Sequence, residues 1–283
     1  MYKYDPKLIE SHYDEAGVKE WDRLDTTPHG KVQFHIHQHY LQKYIKKEDR
    51  VLEIGPGPGR FTIELGKIGA SIGVVDISQG QLKLNEEKVK EAGFESKVEW
   101  RKKLDILNLE GIPDNSFDAT VCYGGPLSYV MERVEEALKE VLRVTKPEGY
   151  ILTSVMSCLG TYSHFIEAIF HEVNEGRYDL EGLDELTRTG DVAGKYADNS
   201  SHHCHMFRWS EFQEILSRYP VEILDVSAAN FLSTGSTRNE KLIEVMNKPE
   251  QWEKLLKWEL EFCAEPGAID AATHFLVVFK KIS

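Results

Sequence analysis

The chain has 283 residues, 41% hydrophobic and 29% charged, which allows a large core in an ordinary globular composition. Asp and Glu (47) outnumber Lys and Arg (34), a net charge of −13, which disfavours a long nucleic-acid substrate and an anionic membrane surface. Residues 101–103 could still form a local basic patch. Cys122, Cys158, Cys204 and Cys263 form no CxxC pair and read as free thiols of a reducing compartment. The N-terminus has no apolar leader core, and no apolar run reaches membrane-spanning length. The expected location is therefore the cytoplasm.

Residues 1–50 read as a helical N-terminal cap. Apolar residues recur at near-helical spacing over 11–24 and again over 34–45, with a break at 26–30. From residue 51 strands and helices alternate. Strands are expected at 51–54, 72–76, 97–101, 118–123 and 150–155, and helices at 59–68, 79–92 and 132–145. Such alternation implies right-handed crossovers and a parallel sheet covered on both faces. The pattern lapses over 158–206, where an amphipathic stretch (162–173) precedes a polar, Gly-containing one. This span reads as a lid or substrate insertion, too long for a plain loop. Regular structure resumes with a helix at 209–218 capped by Ser210, a strand at 221–227, a helix over 239–262 broken near Pro249, and a strand at 274–280. The division predicted is a cap (1–50), a core (51–157), a lid (158–206) and a C-terminal part of the core (207–283).

Residues 51–60, VLEIGPGPGR, carry the chemistry. Gly55, Gly57 and Gly59 alternate after an apolar strand, and a second strand ends in Asp76. Glycines let a backbone approach a ligand closely, and a carboxylate at the end of the next strand can grip a ribose diol. Dinucleotide enzymes need a further glycine where Arg60 stands. Glu53, inside the first strand, would repel pyrophosphate but suit a cationic ligand such as a sulfonium.

The series Glu53-x-Gly55-x-Gly57-x-Gly59, Asp76, Leu104-Asp105-Ile106 and Asp114 to Asp118 resembles the motifs of class I S-adenosylmethionine-dependent methyltransferases. It is closest to their small-molecule, quinone-biosynthesis-like "type 11" branch. That resemblance implies a Rossmann-like, doubly wound, mostly parallel seven-stranded sheet with an antiparallel last strand. It also implies S-adenosylmethionine as cofactor, S-adenosylhomocysteine as product and a small-molecule methyl acceptor. By position, Gly55, Pro56, Gly57 and Gly59 would lie under the methionine part, and Glu53 near its amino-acid end. Asp76 would bind the ribose hydroxyls, with Ile77 on the adenine face. Asp105 would accept from the adenine amine beside Ile106. Tyr123 and Gly124 would lie next to the sulfonium.

Methyl transfer needs a base only if the nucleophile must lose a proton. His202, His203 and His205 are the candidates, since histidine titrates near neutrality. Zinc ligation by this His/Cys run is the weaker alternative, because adjacent residues seldom all face one ion, and no metal is expected. Among His29, His35, His37 and His39, one could reach the substrate. Tyr13, Tyr123 and Tyr129 could contact substrate or sulfonium through their rings. The strand-four motif of amine-methylating nucleic-acid enzymes, Asp/Asn-Pro-Pro-Tyr, is missing. A cofactor-binding protein without turnover, or a nicotinamide oxidoreductase, are the competing readings.

Overall fold

The computed structural model describes residues 3–192 and 203–282. A seven-stranded sheet runs β3-β2-β1-β4-β5-β9-β8, built from β1 (Arg50–Ile54), β2 (Ser71–Asp76), β3 (Val98–Lys103), β4 (Phe117–Cys122), β5 (Thr145–Met156), β8 (Val221–Ala228) and β9 (His274–Lys281). Pairing is parallel from β3 through β5, and β9 runs antiparallel between β5 and β8. A Rossmann-like sheet with one reversed strand is thus the architecture.

The alternation of Val51 and Leu52 shows how the sheet separates two cores, because successive strand residues face opposite sides. Val51, Ile72, Val74 and Val121 pack under α3 (Pro28–Tyr44), α4 (Arg60–Ile68) and α12 (Pro249–Cys263). Leu52, Ile54, Val75 and Phe117 pack under α7 (Val134–Val144) and α10 (Trp209–Leu216). The turn after β1 leads into α4, and α5 (Gln79–Glu91) links β2 to β3. Loops at the carboxyl ends of β1, β2 and β4 therefore converge on one edge, where such sheets take their ligands.

The cap is two helices before α3, not one. α1 (Pro6–Ala16) stops at Gly17, whose φ of 51° and N–H bond to the Tyr13 carbonyl end the helix, and α2 (Lys19–Asp22) follows. The expected break at 26–30 is shorter, because Pro28 opens α3 at its first position and the Thr27 side chain accepts from the Gly30 N–H. The 158–206 span holds α8 (Cys158–Asn174), α9 (Leu180–Thr189) and the small hairpin β6 (Asp191–Val192) with β7 (Cys204–His205). The sequence reading saw α9 only as polar chain. Asp179 caps it and Gly190, with φ 81°, closes it. α10 begins at Trp209, so Ser210 lies inside it and Arg208 takes the N-cap position. The 239–262 helix divides into α11 (Ser236–Met246) and α12, restarted by Pro249.

A third apolar cluster joins these parts. Ile9 of α1, Tyr129 of α6 (Pro126–Tyr129), Met156 of β5, Leu183 and Leu186 of α9, and Met206 pack together. It couples the cap to α9 across the ends of the strands. All four cysteines are free and buried. Among the described residues no helix is long and apolar enough to cross a membrane.

Candidate active site

The glycine turn works by left-handed backbone. Gly55 and Gly57 have φ of 67° and 54°, a region costly for side chains with a Cβ. A Cβ on Gly55 would sit 2.8 Å from Pro126 Cγ. A Cβ on Gly57 would meet nothing nearer than 3.6 Å and would fill cleft space. Gly59 serves differently: its Cβ would press on Asn85 and Val89 at 2.9 and 3.1 Å, so it lets α4 and α5 approach.

Asp76 ends β2 at the cleft floor, where its Oδ2 accepts from Gly57 N–H at 3.2 Å and its Oδ1 from Ser78 N–H at 2.8 Å. Burial raises its pKa to about 6 despite these two donors. Asp105 accepts from Leu107 N–H with Oδ1 and from the Tyr4 hydroxyl with Oδ2, at 2.9 and 2.8 Å. Gly55, Pro56, Gly57, Asp76, Ile77, Asp105, Ile106, Tyr123 and Gly124 all line this cleft. The cap forms its roof through Tyr4, Ile9, Tyr13, Glu20, Arg23 and Leu24.

The structure does not bring Glu53 to the cleft. It is 2% exposed and sits behind the turn, where Thr62 Oγ1 donates to its Oε2 at 2.6 Å. Asn85 Nδ2 donates to Thr62, and Arg101 Nε to Asn85 Oδ1. Burial pushes Glu53 up to about 8, which disfavours its charged form behind the turn. Gly59 also lies outside the lining.

A second cavity opens beside the cleft, between the strand ends, α3, α8 and α9. It shares Tyr13, Glu20, Arg23, Gly124 and Tyr129 with the first. Its outer wall is apolar and aromatic, with Tyr162, Phe165, Ile169, Leu183 and Met206. Its inner wall carries His29, Gln33, His164, Thr273 and His274. The His29 and His164 rings meet at 4.8 Å between centroids, tilted by 46°. Burial, with His164 next, lowers the His29 pKa to about 4, and burial lowers His164 as well. Gly235 N–H donates to His164 Nδ1 at 2.9 Å, which leaves the proton on Nε2.

Tyr13 and Tyr129 meet edge to face at 5.5 Å where the two spaces join. Burial raises both phenols well above their ordinary value, so neither is a phenolate base. Tyr123, raised likewise by burial, packs edge-on against His37 and Phe61.

The histidine run takes another part. His202 lies outside the described residues. His203 lines neither space and is close enough to His12 for their charges to interact. His205 lines neither space either: its Nδ1 donates to Asp191 at 2.7 Å and its Nε2 to Glu211 at 2.9 Å. Burial opposes its charge, but the two carboxylates raise its pKa to about 9. A doubly bonded imidazolium is a structural pin, not a base. Among the described residues no group of three or more His, Cys, Asp or Glu is placed to hold a metal.

Residues 51–149 match the family model for a methyltransferase domain. The chain is 26% identical over 216 residues to a putative methyltransferase, YqeM, of Bacillus subtilis, covering 72% of this chain and 85% of that one. The chain is a class I S-adenosylmethionine-dependent methyltransferase. This methyltransferase is also 29% identical to demethylmenaquinone methyltransferase of Corynebacterium glutamicum over 185 residues, 60% of this chain and 71% of that one. Its fold is shared with a solved Thermotoga maritima structure described as a possible histamine N-methyltransferase (TM-score 0.55, 17% identity, 95% and 98% coverage). S-adenosylmethionine is the cofactor, and the left-handed glycines and the buried Asp76, which line one cleft together, fit it.

Residues that the sequence reading missed are those distant in the chain from the motifs. Tyr4, Glu20 and Arg23 reach the cleft only because α1 and α2 fold over it. His164 and His274 reach the cavity from α8 and β9. Nothing in their local spacing marks them.

Proposed function

We propose that the methyltransferase acts on a small, partly apolar molecule held in the cavity between α3, α8 and α9. Supporting this reading is one relationship: the cleft lined by Asp76 and Asp105 and that cavity meet at Tyr13, Gly124 and Tyr129. An acceptor there would face the cofactor side directly across these shared residues. In this reading Asp76 takes the ribose hydroxyls, Asp105 the adenine amine, and Ile77 and Ile106 flank the base. Gly55, Pro56 and Gly57 underlie the methionine part, with Tyr123 and Gly124 beside the sulfur. Residues 1–50 act as a cap and 158–206 as a lid, and the free thiols suit the cytoplasm.

The bound cofactor supplies an electrophilic methyl group on a sulfonium. The chain's residues align the acceptor and exclude water, which for well-oriented reactants contributes roughly 7–11 kcal/mol. Tyr13 and Tyr129 wall the meeting point, and their rings face a cation favourably. His164 offers its Nε2 proton as a donor to an acceptor oxygen or nitrogen. No base is assigned, because the histidines of the cavity wall are satisfied or suited to donate. The reading thus favours an acceptor that is nucleophilic without a strong base.

The test is transfer of radiolabelled methyl from S-adenosylmethionine, with demethylmenaquinone and histamine as first acceptors and cell lysate fractions beside them. Label in a small molecule is expected. Label confined to protein or nucleic-acid fractions overturns the acceptor class.

A further inference from the structure

The roof of the cleft carries an ion pair that the motif series does not use. Arg23 Nε donates to Glu20 Oε1 at 2.8 Å, and both side chains line the cleft and the acceptor cavity. Glu20 Cγ lies 3.6 Å from where a Cβ on Gly57 would stand, and Arg23 Nη2 lies 3.9 Å from the same point on Gly124. The pair therefore spans from the glycine turn to the end of β4. Glu20 Oε2 and both Arg23 Nη atoms make no hydrogen bond among the described residues. The Glu20 and Arg23 side chains keep 19% and 42% exposure.

A pair placed only for stability would contribute little, ~0–1 kcal/mol when solvent-exposed. A pair with one free carboxylate oxygen and a free guanidinium fork, over a glycine turn, instead matches a zwitterion. An α-amino acid presents an ammonium and a carboxylate about as far apart as these two groups, and a guanidinium fork suits a carboxylate geometrically. We propose that Glu20 and Arg23 form a receptor for an α-amino-acid zwitterion, the methionyl end of the cofactor, with Glu20 on the ammonium and Arg23 on the carboxylate. This rests on the cofactor assignment of the cleft. It takes over the role that Glu53 cannot fill from behind the turn. It also means that the cap recognises the cofactor, so closure over the cleft depends on the amino-acid end being present.

The experiment compares S-adenosylhomocysteine with 5′-methylthioadenosine, which lacks that end, by calorimetry on wild type, Arg23→Gln, Arg23→Lys and Glu20→Gln. Thermal melts of each free variant check that it folds. Wild type should prefer S-adenosylhomocysteine. In Arg23→Gln that preference should shrink by about tenfold or more, the size of a lost hydrogen bond to a charged group. 5′-Methylthioadenosine affinity should hold, and Arg23→Lys should recover part of the preference. Unchanged preference in both Gln variants assigns the pair to the acceptor side or to structure and overturns the proposal. So does an equal loss for both ligands. If neither ligand binds wild type, the cofactor assignment itself fails, which is a separate result.

Discussion

The Tyr4 hydroxyl donates to Asp105 Oδ2 at 2.8 Å, which ties the start of the cap to the carboxylate expected to meet the adenine amine. Under the proposed adenine contact, cap and nucleoside would compete for, or share, one oxygen. Tyr4→Phe should lower the melting temperature by a few degrees, since a hydrogen bond of this kind contributes ~0.5–1.5 kcal/mol. It should leave S-adenosylhomocysteine affinity equal or tighter. A large loss of affinity in calorimetry would show that Tyr4 helps hold the ligand instead.

Asp76 gives a pH test of the cleft. Burial raises its carboxyl to about 6, and two hydroxyls of a ribose can donate only to its ionised form. S-adenosylhomocysteine affinity should be flat above pH 7 and fall as pH drops through about 6. Asp76→Ala should remove both the pH dependence and most of the affinity while the fold persists by circular dichroism. Unchanged affinity removes Asp76 from the site.

His205 should matter to stability and not to turnover. Its folded pKa of about 9 stands above the ordinary histidine value, so its contribution is full below about 6.5 and is lost as pH rises through about 9. Replacing His205 by Gln should cost roughly 1.5–3 kcal/mol near pH 6, the scale of hydrogen bonds to charged groups. Melts at pH 6 and pH 10 should show that difference shrinking. Methyl transfer at low temperature should persist, and its abolition with an intact fold would return His205 to the chemistry.

Glu53 offers the complementary case. Its folded pKa of about 8 lies above the ordinary carboxylate value, so the fold favours its protonated form. Stability from this group declines as pH rises from about 4.5 through about 8. Glu53→Gln keeps the shape and the bond to Thr62 Oγ1 while removing the charge. It should flatten that decline, stabilise the protein above pH 8, and leave S-adenosylhomocysteine affinity within about threefold. A tenfold loss of affinity would show that the carboxylate does reach the ligand.

The sheet was legible because its signals are local. Apolar runs such as 72–76 alternate with helices of the right length, and glycines stand where φ is positive. The cleft-lining carboxylates were legible for the same reason: Asp76 closes β2 and Asp105 lies two residues past the end of β3. Two kinds of feature were not. Glu53 reads as a ligand residue from its place in the motif, yet pleating turns it to the buried side, into the chain of Thr62, Asn85 and Arg101. His205 reads as a base from its composition, but Asp191 and Glu211, brought to it by the hairpin and α10, decide its state. The wall histidines His29 and His164 are 135 positions apart, and only the packing of α8 against the start of α3 makes them neighbours.

The cap is fastened along the rim of the cleft at several points. Asp14 Oδ1 accepts from Gly80 N–H at 3.0 Å, Gln81 Nε2 donates to the Tyr13 carbonyl at 2.8 Å, and Lys103 pairs with Glu10 at 2.5 Å. Cutting one of these fastenings, as in Asp14→Ala, should speed the departure of a spent nucleoside, which stopped-flow release measurements would show. Firmer anchorage of that short amphipathic strap would then be repaid as slower exchange of used cofactor for fresh.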